Sequence, residues 1–175
     1  MQPKEITFTR ETVLNSPSMK EPTFEQAVDK VANYIREVPD AEYEIAIGTD
    51  SMTYDKTKFV MAITVHRIGK GGIFFWKNFY EEKFKKYQLF DKIYTETDIS
   101  LNASKTFLEL LKEKGIDIDE TEIKIRFTVH VDVGNYGKTR DYIQTLVGMV
   151  HSYGYDCEIK PSSYAASSIA NKLSK

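Results

Sequence analysis

Cysteine is nearly absent from this chain. Cys157 stands alone among 175 residues, so no internal disulfide can form and no multi-cysteine zinc site is available. Proline and glycine are also sparse, at 5 and 9, which leaves little room for disorder or a flexible linker. No apolar stretch approaches the roughly 20 residues that a helix needs to span a bilayer. The opening Met1-Gln2-Pro3-Lys4-Glu5 lacks the basic-then-apolar order of a secretory signal. These absences lead us to expect a soluble, cytoplasmic protein with no membrane contact. Positive charge is not in excess either: 24 Lys and Arg face 26 Asp and Glu, for a formal net charge of -2. Overall charge therefore does not drive non-specific binding to phosphate backbones, although a local basic patch or protein-held cations still could.

What the chain does hold is apolar and aromatic: 41% hydrophobic residues and 13% aromatic ones, enough for a single packed core at this length. Residues 1–22 are expected to form an N-terminal leader of extended or irregular structure, and 23–175 a single domain. Thr23 caps a helix on which Phe24, Ala27, Val28, Val31, Ala32, Tyr34 and Ile35 recur at helical spacing; Gln26 completes a capping box, and Pro39 ends the helix. Three strands should follow over about 43–49, 58–66 and 72–81, with short turns that favour antiparallel hairpins. A long helix over about 87–114 should end at Gly115. A fourth strand at 122–132, a helix at 138–153, a short strand near 155–160 and a last helix from Ala165 to Leu173 complete the order. The first half reads as an antiparallel meander and the second as parallel crossovers, giving an α/β (α+β) fold with a five-stranded mixed sheet flanked by helices.

Two aspartates stand where strands are expected to end. Asp50 closes the run from Tyr43 and Asp132 closes the run from Ile123. The large apolar side chains of both runs hold odd positions, so alternation places both aspartates on the opposite face. Ser51 after Asp50, and Gly134 two residues after Asp132, suggest that both strands run out into turns there. Two carboxylates at strand ends in one sheet can converge on a hard metal ion. Taken singly, such an aspartate also serves as an Asx-turn or a helix cap.

The element order resembles that of the ribonuclease H-like superfamily. Three stretches sharpen the likeness: Ile47-Gly48-Thr49-Asp50-Ser51, His130-Val131-Asp132-Val133-Gly134, and Lys160-Pro161-Ser162-Ser163-Tyr164-Ala165-Ala166-Ser167-Ser168. Together they resemble the uncharacterised bacterial YkuK-like family, from about residue 24 to the end. The resemblance implies Asp50 as the core metal ligand, Asp132 as the second, and an acid early in the long helix as the third. Glu96 fits that place, and Asp98 competes because the helix register is open. The resemblance also implies an acid on the last helix. This chain has none there, only Ser168 or Asn171, each of which offers an oxygen without charge.

The implied activity is that of a metal-dependent nuclease hydrolysing phosphodiester bonds of nucleic acid, with Mg²⁺ or Mn²⁺ held by Asp50, Glu96 and Asp132. The missing fourth acid favours the alternative, a non-catalytic module of the same fold that binds nucleic acid or a protein. His130, two residues before Asp132, is a candidate catalytic group or a histidine satisfied near a polar rim. Ser51 and Asn171 are candidate substrate contacts. Gly137, Lys138 and Thr139 resemble the end of a P-loop, but only two residues separate Gly134 from Gly137 where that motif needs four. The group remains a candidate for holding one substrate phosphate, or else forms a glycine turn with Thr139 as a cap. Lys77, Lys83, Lys85 and Lys86 interleave with Trp76, Phe79, Tyr80, Phe84 and Tyr87, a pattern compatible with single-strand binding.

Overall fold

Capping and alternation generate the elements much as expected. The computed structural model describes residues 6–81 and 87–165. Helix α1 spans Phe24–Glu37, with the Thr23 hydroxyl accepting the Gln26 N–H and the Gln26 side chain accepting the Thr23 N–H. Its apolar stripe (Phe24, Ala27, Val28, Val31, Ala32, Ile35) is buried throughout. Strand β1 (Glu42–Thr53) pairs antiparallel with β2 (Thr57–Arg67), and β2 pairs antiparallel with β3 (Gly72–Tyr80). The long helix α2 (Leu89–Glu113) leads to β4 (Lys124–His130), which pairs parallel with β1. A 3₁₀ turn at Arg140–Tyr142 precedes α3 (Ile143–Ser152), and β5 (Asp156–Glu158) pairs parallel with β4. The sheet order is β3-β2-β1-β4-β5, a five-stranded mixed sheet.

Odd positions carry the core. Ile45, Ile47, Phe59, Met61, Ile63, Phe75, Phe127 and Val129 are buried in one cluster with α1 and α2. Each such side chain contributes on the order of 1.5–3 kcal/mol when removed from water. Even positions form a lesser layer, in which Ala62 packs with Phe74 and Trp76. Five consecutive buried residues, Ile45–Thr49, show that the centre of β1 is covered on both faces. Residues before α1 join the fold as well. Leu14 is fully buried, and Asn15 exchanges backbone hydrogen bonds with Trp76, which shields part of the β3 edge.

Several boundaries differ from those the sequence suggested. β1 does not stop at Asp50 but pairs with β2 as far as Thr53↔Thr57, because the hairpin turn lies three residues beyond the carboxylate. β4 stops at His130, two residues short of Asp132. The helix expected from 138 starts as the 3₁₀ turn and becomes α-helical only at Ile143. The last expected helix, including Ser168 and Asn171, lies beyond Ala165 and outside the described residues, as do Lys83, Phe84, Lys85 and Lys86. Among the described residues, no helix is long and apolar enough to cross a membrane.

Candidate metal centre

Strand register brings the two aspartates together. The last rung between β1 and β4 is Gly48↔His130. Asp50 stands two residues further along β1, and Asp132 stands two residues past the end of β4, so both aspartates lie just beyond the same rung. Among the described residues, β1 has no strand partner on its β4 flank beyond Gly48, which leaves Asp50 past the end of that ladder. There Asp50 Oδ1 accepts the N–H of Ser51 at 2.9 Å.

Helix α2 supplies the third acid. Its buried stripe runs Ile93, Glu96, Ser100, Ala103, Phe107, Leu110, so Glu96 points at the sheet. Small polar residues let the helix lie close: Thr49 Oγ1 and Ser100 Oγ are 2.7 Å apart. One helical turn earlier, the Ser51 hydroxyl donates to Glu96 Oε1. Glu96 is 3% exposed, and its Oε2 has no hydrogen-bond partner among the described residues. One oxygen from each of Asp50, Glu96 and Asp132 lies within 4.8 Å of the other two. Trans ligands of an octahedral Mg²⁺ stand about 4.2 Å apart, twice the ~2.1 Å bond, so small side-chain rotations would close the set on a cation.

The acids disturb one another's protonation. Burial pushes the Glu96 carboxyl up to about 8, and the charges of Asp50 and Asp132 add to the rise. Burial, followed by the Asp132 charge, likewise raises Asp50. Two lysines oppose these effects. Lys92 lies one turn before Glu96 on α2 and acts on both Asp50 and Glu96. Lys160, just beyond β5, places its Nζ 2.9 Å from Asp132 Oδ1.

The remaining expected residues lie in different surroundings. Asp98 is not part of the acid group. His130 is 4% exposed, and its Nδ1 accepts the N–H groups of Tyr164 and Ala165, both at 3.1 Å. Burial holds its imidazole down at about 4, and its ring meets that of Tyr164 edge to face. It is not among the clustered metal-ligating groups. Ser51 is turned inward to Glu96 rather than outward. Gly137 has φ +88° and is exposed, as is Lys138; the Thr139 hydroxyl accepts the Gly134 N–H at 3.1 Å instead of capping a helix. One contact had no signal in the local pattern: Lys160 with Asp132, a pairing across the β4–β5 junction.

The sequence model of the family described as Ribonuclease H-like matches residues 26–175. The chain belongs to the ribonuclease H-like family. This ribonuclease H-like protein is also 34% identical over 163 residues to "Uncharacterized protein YkuK" of Bacillus subtilis (strain 168), covering 87% of this chain and 91% of that protein. No solved structure matches it significantly. The YkuK-like resemblance carried by the three stretches thus holds across most of the chain, and the five-stranded mixed sheet agrees with it. For this ribonuclease H-like protein, the chemistry of the donor set fits a hard divalent cation. All three donors are carboxylates, and one buried oxygen lacks a partner.

Proposed function

We propose that the protein is a metal-dependent nuclease that hydrolyses phosphodiester bonds of nucleic acid, with Asp50, Glu96 and Asp132 holding Mg²⁺ or Mn²⁺. The convergence of three carboxylates from β1, α2 and the end of β4 carries this reading. A divalent ion held there supplies Lewis-acid polarisation of a phosphoryl oxygen and a water acidified towards neutrality. Asp50 takes the central place, as the family resemblance implies, on the strand between β2 and β4. Glu96 is the buried arm. At neutral pH it surrenders a proton when a cation takes its carboxylate, so ion binding releases protons. Ser51 fixes the Glu96 rotamer through its hydroxyl. His130 is assigned to docking residues 164 and 165, not to proton transfer.

The test is a Mn²⁺ titration followed by thermal unfolding, together with cleavage assays on labelled single-stranded and duplex nucleic acids. Wild type should gain stability with Mn²⁺ and cleave at least one substrate; Asp50→Asn should lose both properties. A wild-type protein indifferent to Mn²⁺ and Mg²⁺ overturns the proposal. The second reading, a non-catalytic binding module, draws on two observations: Lys160 already pairs with Asp132, and residues 159–175 include no Asp or Glu. It calls for nucleic-acid or protein binding that is insensitive to Asp50→Asn.

A further inference from the structure

The position of Lys160 is built rather than incidental. Beyond β5 the chain keeps tracking the segment that follows β4: Val131 N–H donates to Glu158 O at 2.9 Å, and Lys160 N–H donates to Val133 O at 2.8 Å. The aliphatic stem of Lys160 then lies against Gly134. A Cβ on that glycine would stand 3.2 Å from Lys160 Cβ and 3.5 Å from its Cδ, so a larger residue would press on the stem and the stem would have to shift by a few tenths of an ångström. The stem ends with Nζ on Asp132 Oδ1 at 2.9 Å. Glu158, the other acid close by in the chain, is taken by Arg126, which leaves Asp132 as the partner of Lys160. Yet the lysine side chain is 52% exposed and that of Asp132 35%, so solvent screens the pair and it can exchange.

The geometry points to Lys160 as the resident counter-cation of the metal seat, displaced from Asp132 when a divalent ion enters and then free to hold a phosphate oxygen of the substrate. The inference rests on the metal reading above and goes beyond it, because it assigns a positioning residue that couples ion entry to phosphate capture. A monovalent ammonium and a divalent ion both need the Asp132 oxygen, and the divalent ion gains two further carboxylates that Lys160 does not contact. The released ammonium stays tethered over Gly134, at the mouth of the seat. As a compact point charge on a flexible stem, it suits a phosphate. Coupling of this kind is reciprocal: phosphate should bind better once the ion is in place, and the ion better with phosphate present.

The experiment compares wild type, Lys160→Met, which keeps the stem and removes the charge, and Asp50→Asn. Mn²⁺ should bind Lys160→Met about 2- to 5-fold more tightly than wild type, the range set by the worth of one screened ion pair. Without metal, Lys160→Met should unfold at a lower temperature than wild type, and saturating Mn²⁺ should close that gap. Inorganic phosphate should bind wild type more tightly with Mn²⁺ than without, and Lys160→Met should lose most of that gain while still binding Mn²⁺. A crystal structure of wild type with Mn²⁺ should show Nζ moved off Oδ1. If Mn²⁺ binds wild type through Asp50 while Nζ stays on Asp132 and the phosphate gain survives Lys160→Met, the Lys160 inference is overturned and the metal reading stands. If Mn²⁺ binds none of the three proteins, both are overturned.

Discussion

At the residue scale, Glu96 concentrates the cost of the site. Its carboxyl titrates near 8 in the fold against 4.5 for an ordinary glutamate, so the fold binds that proton more tightly than the unfolded chain does. Without metal, the stability this provides is complete below about pH 4.5 and is lost as pH rises through about 8, on the order of 3–5 kcal/mol in all. Glu96→Gln keeps an acceptor for Ser51 and removes the ionisation. Chemical denaturation from pH 5 to 9 should therefore show a flatter profile in the variant, with no Mn²⁺ stabilisation. His130 has the opposite slope. Its imidazole is held near 4, so stability is present above about 6.5 and is lost as pH falls towards 4. His130→Phe can fill the space but leaves the Tyr164 and Ala165 N–H groups without their acceptor; urea unfolding should register a loss of about 2 kcal/mol or more. The aspartates were legible in the sequence because alternation displays them. The choice between Glu96 and Asp98 was not: at about 100° per residue the two point some 200° apart, and the polar members of the buried stripe, Ser100 and Ser104, conceal its phase. Lys160 was invisible because its pairing depends on β4–β5 register, which no local pattern encodes.

At the scale of elements, legibility follows how local the determinants are. The α1 boundaries were readable from Thr23 and Gln26 at one end and Pro39 at the other, each acting within a few residues of the end it sets. Thr23→Ala should cost about 1 kcal/mol in equilibrium unfolding, the usual worth of a lost N-cap, with no effect on Mn²⁺ affinity because α1 supplies no ligand. Gly115, just past α2, was readable for the same reason and has φ +95°. Strand ends were harder to place. β1 continues past Asp50 because Ser51 and Thr53 still find partners in β2, whereas the β1–β4 ladder ends at His130 and the chain then turns, with Val133 N–H donating to Val131 O. The start of α3 was misplaced because Gly137, with its left-handed backbone, breaks the helical path that Lys138 and Thr139 suggested.

At the scale of the whole molecule, the three acids tie together parts of the chain far apart in sequence, from residue 50 to residue 132. An ion held by all three binds the folded chain and not the unfolded one, so it should stabilise the entire domain. At an ion concentration one hundred times the dissociation constant, the gain should be about 2.7 kcal/mol. Calorimetry should show one cooperative transition moving upward with Mn²⁺ in wild type and standing still in Asp50→Asn. A shift confined to a minor sub-transition would mean that the ion binds elsewhere. The sheet order was within reach of the sequence because hairpins and crossovers follow from connection lengths. The convergence of Asp50, Glu96 and Asp132 was also expected, through the strand ends and the family resemblance, whereas its geometry was not, because it depends on how far β1 outruns β4.

That unequal length makes the centre sensitive to counting. The Gly48↔His130 rung is the last fixed point before both aspartates, and beyond it Asp132 is carried by a turn in which Val133 N–H donates to Val131 O. Inserting one glycine between Val131 and Asp132 would leave every rung of the β1–β4 ladder in place while moving the carboxylate off its mark. Such a variant should keep its sheet, read by circular dichroism, and lose its Mn²⁺ stabilisation.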